Sequence, residues 1–375
     1  MAERFSLKDH LFNAETIEQL AGEYAVLPGF DAAAFSAAVL NGFPERELLQ
    51  RLDWIADCLE PYLASDFPTM ADQMELAMPA RLDPARRDDD FGQFIHAVPG
   101  ILAVRHGLED HRDRALDLLE QATQRFSMEF YIRPFINRWP EETLARLSHW
   151  ADHENYHVRR LVSEGTRPRL PWAKNIDIAP LVPLPLLDRL HADPTRFVTR
   201  SVANHLNDIS RVDPDTVLET LAGWRSAGRQ DAKELDWMTN HALRTLIKQG
   251  EPRAMAMLGF AADAEVRVDR LTIIPGAPKI GDKVAVEIVL SAPDDTPVLV
   301  DYAIRFTRPS GAVSDKVFKV KQGTVRSDRP LQLKKTQVFK GDATTYALVP
   351  GPHRLSLMVN GVVRATLDFD LGPTA

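Results

Sequence analysis

The sequence predicts a mainly α-helical chain, a helical-repeat solenoid followed by a smaller all-β sandwich, and three observations predict it. Apolar residues recur at helical spacing from about Ala14 to Phe260. A shift of forty residues lays Val158, Arg160, Val162 and Glu164 onto Val198, Arg200, Val202 and Asn204, so an apolar and a polar phase return together. From Glu265 the texture becomes alternating and β-branched, with regularly spaced turn signals. These boundaries predict a helical-repeat domain over residues 1–262 and a β-sandwich over 263–375.

Taken in order, Ala14 to Pro79 reads as amphipathic helices broken at Pro28-Gly29, Asn41 to Pro44 and Phe67-Pro68, with no chemical motif. Arg81 to Asp90 is a charge run expected to be a solvated loop between helix pairs. Helices resume near Asp110. Arg125 to Trp139 concentrates Phe126, Phe130, Tyr131, Phe135 and Trp139, with Ser127 placed as an N-cap and Glu129 in the first turn behind it. Core packing and dipole compensation account for that segment, and a functional role for Glu129 stays open.

Leu147 to Trp172 carries the most information. It reads as a helix end, a break at Ala151 to His153, a second helix to Glu164, a Gly165 stop, and an extended arm stiffened by Pro168 and Pro171. On the second helix Val158, Leu161 and Val162 face one way, while His157, Arg160 and Glu164 face the other. The arm adds Arg167, Arg169 and Trp172. Further on, Asp193-Pro194 and Asp213-Pro214 mark two helix starts. Arg200, Asn204, Asp208 and Arg211 form a polar stripe on the intervening helix, and Leu144, Leu147 and Trp150 are echoed by Leu218, Leu221 and Trp224 as repeat core. In the last third, runs such as VAVEIVL at Val284, VLVDYAIRF at Val298 and HRLSLMVNG at His353 read as strands. Turns fall at Pro275-Gly276, Pro293 to Asp295, Pro309 to Gly311, Pro350-Gly351 and Asn360-Gly361. About seven such strands fit an immunoglobulin-like sandwich without its usual cysteine pair, with Tyr346 as a corner residue.

Composition narrows the chemistry. At 375 residues and 45% hydrophobic content, two domains are expected. No apolar run spans a membrane and the opening MAERFSLKDH lacks a secretory pattern, which predicts a cytoplasmic protein with no membrane partner. Cys58 is the single cysteine, excluding an internal disulfide or a multi-cysteine zinc site. His149, His153 and His157 are spaced by four, but the expected helix break between them spoils their alignment, so no metal site is expected. Glycines are scattered at turns and Ser163 has no paired base, so neither a phosphate-cradling loop nor acyl transfer is supported, and no cofactor is expected. The net charge of −8 is uneven: residues 1–120 sum to −13, 121–260 to +2 and 261–375 to +3. Between Arg305 and Lys340 ten cations face only Asp315 and Asp328, a basic patch candidate.

In a stack of helix pairs equivalent faces align, so Arg160, Glu164, Arg200, Asn204 and Asp208 would share one groove. Carboxylates among guanidinium groups, beside an indole on a stiff arm, suit a cationic or phosphate-bearing ligand. The same Arg160 and Glu164 spacing also fits a plain exposed ion pair worth a few tenths of a kcal/mol. The residues HVRRLVSEGTRPRLPW followed by SVANHLNDIS resemble the HEAT-repeat DNA alkylation-repair glycosylases of the AlkC type, over roughly Phe12 to Phe260. That resemblance implies a HEAT-like solenoid with an immunoglobulin-like C-terminal domain. It also implies a base-excision-repair glycosylase that cleaves the N-glycosidic bond of small cationic bases such as 3-methyladenine. Its partner would be double-stranded DNA carrying alkylated bases, bound by a monomer. Glu164, Asp208 and Glu129 would be the catalytic acids, with Trp172 holding the cationic nucleotide. Arg159, Arg160, Arg167, Arg169, Lys174 and Arg200, with Lys334, Lys335 and Lys340 of the sandwich, would contact DNA. The alternative that the residues leave open is a non-enzymatic scaffold binding protein or nucleic-acid backbone in the same groove.

Overall fold

The computed structural model describes residues 6–308, 311–341 and 348–374. Tyr346, expected at a sandwich corner, and Pro309 of an expected turn lie outside the described residues. The chain forms two compact units, one of Met1–Asp213 with Glu219–Ala242, the other of Pro214–Leu218 with Leu243–Ala375. Among the described residues no helix is long and apolar enough to cross a membrane.

The first unit is an array of paired helices with locally encoded starts. Asn13 builds a capping box with Thr16, and Asp31 and Asp66 accept from Ala34 N and Thr69 N. Such caps satisfy amides that the first helical turn leaves unpaired. The helices Arg112–Thr123, Tyr156–Gly165, Arg196–Ile209 and Ala232–Ala242 pack on one another in succession, each with a second helix or loop outside it. One step along this column is the forty-residue shift seen in the sequence. Val158, Leu161 and Val162, then Val198, Val202, Leu206 and Ile209, are fully buried on the column's inner side. Trp150 and Trp224 are buried too, their indoles donating to Glu120 Oε2 (2.5 Å) and Asp188 Oδ1 (2.8 Å), as repeat core should.

Local signals fail where tertiary contacts compete. Ser127 caps nothing: the helix there is Ile132–Arg138, and Ser127 Oγ donates to Glu129 Oε2 instead (2.6 Å). The helix expected to open at Asp193-Pro194 is Arg196–Ile209, because the Asp193 carboxylate turns back onto Thr195 N (2.8 Å) and onto Arg159. Gly165 closes its helix without a left-handed cap, Thr166 following at φ −94°; a Cβ at Gly165 would collide with Ile132. The run Arg81 to Asp90 is a loop, yet it is bound to the array, Leu82 N donating to Gln124 O (2.9 Å) and Phe197 N to Arg87 O (3.0 Å).

The second unit holds seven strands among its described residues: β1 Arg267–Ile274, β2 Lys283–Ser291, β3 Thr296–Thr307, β4 Val313–Val325, β5 Leu331–Val338, β6 Gly351–Val359 and β7 Val362–Leu371. They form two antiparallel sheets, ordered β1-β2-β5 and β4-β3-β6-β7. Alternate residues Val284, Val286, Ile288 and Leu290 of β2 meet Val300, Tyr302 and Ile304 of β3 and Leu355, Leu357 and Val359 of β6 in one core, as a two-sheet sandwich requires. Tyr302 carries its hydroxyl across that core to Gln337 Oε1 on the other sheet (2.8 Å). The residues before β1 are fastened to this unit, Met255 and Phe260 packing with Leu299, and Asn360 and Arg364 donating to the carbonyls of Ala261 and Ala262.

Candidate active site

Three segments of the first unit converge: the Phe126–Tyr131 loop, the helix Tyr156–Gly165 with the arm behind it, and the helix Arg196–Ile209. Their charged side chains form an alternating chain. Arg160 Nη1 donates to Glu129 Oε2 (2.9 Å) and its Nη2 lies 3.8 Å from Glu164 Oε2. Arg167 Nη1 donates to Glu164 Oε1 (2.5 Å) and Arg167 Nε to Asp208 Oδ2 (2.9 Å). Glu164, Asp208, Arg160 and Arg167 are all under 10% exposed. The three acids expected from the sequence are thus gathered, but in a buried network rather than on an open groove, and the Arg160–Glu164 contact is no surface pair.

Electrostatics explains why the network stays charged. Burial opposes ionisation of Glu164, yet Arg160 and Arg167, with hydrogen bonds from Ser201 and Arg167, outweigh it and hold the carboxyl below its usual range. For Arg160 and Arg167 burial likewise opposes the charge, and the neighbouring carboxylates hold both guanidiniums above their ordinary value. Glu164 has both oxygens occupied, Oε2 by Ser201 Oγ (2.5 Å). Among the described residues Glu129 keeps Oε1 without a hydrogen bond, its Oε2 taking Ser127 and Arg160. Stacking of Arg160 over the Phe197 ring, 4.4 Å to the centroid, fixes the guanidinium from its other side.

The arm is positioned by a residue that sequence reasoning missed. Arg133, 1% exposed, donates through Nη1 to Gly165 O (3.0 Å) and Arg167 O (2.8 Å), and through Nε to Lys174 O (2.5 Å). Burial and Arg167 lower its pKa to about 10, so it remains a cation at neutral pH. Between its anchor points Trp172 is 68% exposed and has φ +64°, a left-handed backbone that a bulky residue rarely adopts. Strain of that kind, of order 1–3 kcal/mol, persists only where surroundings impose it. Arg169 and Lys174 on the same arm are exposed.

The other expected DNA contacts divide. Arg160 and Arg167 direct their donors to carboxylates, and Arg159 is held by Asp193, His153 O and Glu154 O. In this structure the donors of these three go to acceptors of the protein itself. Arg200 is paired with Asp88 and Asp89 of the Arg81 to Asp90 loop. On the sandwich, Lys335 and Lys340 are exposed, while Lys334 pairs with Glu287 across β2 and β5 (3.1 Å). His149 ends one helix and His157 begins the next, so the three histidines spaced by four do not line up.

Two buried histidines beside the network yield a prediction. Burial, then Arg160, lowers His157 to about 4; burial, then Arg167, lowers His205 to about 3, despite its Nδ1 contact with Ser163 O (3.1 Å). Unfolded, each binds a proton from about pH 6.5 downward; folded, neither does until about 4 and 3. The stability both supply is therefore complete above pH 6.5 and lost as pH falls, at up to about 1.4 kcal/mol per pH unit for each. Urea midpoints should fall from pH 7 to 4.5, and His205→Gln should flatten that slope. A midpoint independent of pH would contradict the burial argument.

The comparisons with known proteins agree with this architecture. A family model described as "Uncharacterised protein YhaZ, C-terminal Ig-like domain" matches residues 267–373. The chain is 32% identical over 372 residues to the protein YhaZ of Bacillus subtilis (strain 168), covering 96% of this chain and 98% of that one. It is also similar to the solved structure of the Pseudomonas fluorescens alkylpurine DNA glycosylase AlkC bound to DNA containing an abasic site analog. That similarity has a TM-score of 0.84 and 32% identity, over 98% of this chain and 99% of that one.

Proposed function

Because the chain belongs to the family of YhaZ and the alkylpurine DNA glycosylase AlkC, we propose that it is a DNA glycosylase of base excision repair, acting in the cytoplasm on cationic alkylated bases such as 3-methyladenine. The observation that carries this reading is the meeting of Glu129, Glu164 and Asp208 in one network across two repeats, in a chain whose likeness to AlkC runs nearly end to end.

The chemistry follows from the substrate's charge. A base alkylated at N3 or N7 is already cationic, so when the C1′–N bond breaks its electron pair neutralises the base, and no strong acid is needed. Positive charge then appears on the sugar as an oxocarbenium-like centre. Fixed carboxylates nearby stabilise it without reorganising, and water adds at C1′ and releases a proton. Glu164, with both oxygens tied down, suits an electrostatic role. Glu129 Oε1, without a protein partner, suits holding the water. Trp172 offers an exposed indole face to the cationic nucleotide, and Arg169 and Lys174 flank it for the backbone.

The test is base release from a duplex carrying 3-methyladenine, read as abasic sites. Release that is lost in Asp208→Asn with the fold retained supports the enzyme; no release from any alkylated duplex leaves a scaffold. For the sandwich, Lys335→Glu with Lys340→Glu should weaken duplex affinity and reduce the salt slope by about 0.9 for each phosphate no longer neutralised. Titrations at several salt concentrations that superimpose on wild type would make the domain's role structural.

A further inference from the structure

The loop that carries Asp88 and Asp89 does something its charge run does not announce. Arg200 occupies the position one repeat after Arg160, on the same side of the column as the acids, and its counter-ions come from this distant loop. Asp89 is largely exposed, with φ +58°. Besides the Asp88 and Asp89 pairs, the loop is held by the Arg87 carbonyl, by Asp90, which is buried, and by Phe91, half exposed, set edge-on against Phe197 at 5.1 Å. Gly92, at φ +68°, forms its other turning point, where a side chain would strike the Arg125 carbonyl. Arg200 and Asp88, unlike Asp89, are partly buried.

What packs against the same Phe197 ring is incomplete. Tyr156 and His157, ring centroids 6.0 and 5.7 Å from Phe197, are 3% and 6% exposed, yet Tyr156 Oη and His157 Nε2 have no hydrogen-bond partner. Buried polar atoms left unpaired are destabilising until a partner reaches them. The Tyr156 hydroxyl senses the loop directly, burial and then Asp90 pushing it up to about 12, so it is a proton donor at working pH. Phe91 of the loop and the two unpartnered groups thus share the Phe197 ring, and Arg200, held by the loop's acids, follows Phe197 by three residues on the same helix.

We propose that Arg86–Phe91 is an anionic lid: Asp88 and Asp89 stand on Arg200 where a DNA backbone phosphate would, and duplex binding displaces them. This rests on the proposed action on DNA and adds a regulation to it. The closed lid rejects weak anions, because a ligand must first displace two carboxylates. It opens for a polyanion, whose phosphates take Arg200 and come within reach of Tyr156 Oη.

The experiment uses the full chain and an undamaged duplex, read by fluorescence anisotropy. Asp88→Asn with Asp89→Asn should tighten binding about tenfold, the population that a lid withholds. Adding Arg200→Ala should abolish that gain. Hydrogen exchange on the wild-type protein should show the amides of residues 86–91 exchanging faster with duplex bound. Equal affinity of the lid variant and wild type, a gain that survives Arg200→Ala, or lid amides slowed by DNA would each overturn the lid. If base release and duplex binding persist in that case, the lid alone fails. If no form of the protein binds duplex or releases a base, the proposed function fails and the lid with it.

Discussion

Glu164→Gln should lower base release by about 10²–10³-fold and lower stability by about 3 kcal/mol, the combination expected when one charge is removed from a buried, shared site. The first effect is what the proposed role of Glu164, a fixed anion beside the developing sugar cation, requires. The second follows because Arg160 and Arg167 both lean on Glu164, and the amide leaves them with less compensating charge in a site under 10% exposed. Glutamine keeps the shape, its carbonyl oxygen can still accept from Arg167 and its amide can donate to Ser201 Oγ, so the protein should fold at low temperature. Single-turnover release, corrected for folded fraction by calorimetry, separates the two effects. A rate per folded molecule equal to wild type would remove Glu164 from the chemistry and leave it a structural acid.

Arg133→Met is the second large effect. It deletes three hydrogen bonds to the carbonyls of Gly165, Arg167 and Lys174, and leaves the first two inside the protein without this donor. A fall in stability of about 3 kcal/mol is expected, with release falling although Arg133 touches no acid of the network. Its role is positioning, and the telling readout is local. Trypsin should cut at Arg169 and Lys174 much faster in Arg133→Met than in wild type, under conditions where both remain folded. Unchanged cutting would mean that the arm holds its shape without Arg133.

The helical array was legible because burial imposes its period on side chains: Val158, Leu161 and Val162 announce an inner face, and their recurrence forty residues on announces stacking. The sandwich was legible for the same reason at a period of two. What stayed hidden concerns charges. Arg133 carries no signal, since nothing in a sequence distinguishes a guanidinium facing water from one facing three carbonyls. Arg160 and Arg167 read as phosphate ligands for the same reason, and only their distances to Glu129, Glu164 and Asp208 assign them inward. Ser127 and Asp193 have the composition of helix starts, but Glu129, Arg160 and Arg159 compete for them. Trp172 was singled out by its motif, while its left-handed backbone had no signal in composition.

The order of signs from Glu129 through Arg160, Glu164 and Arg167 to Asp208 constrains how such a protein can change over generations. A substitution at Arg160, Glu164 or Arg167 strands the neighbours on both sides, so no single step there leads to a different arrangement of equal quality. Lineages descended from a common ancestor should keep all five side chains or exchange several at once, and a chain that has lost one should have lost the trade along with it.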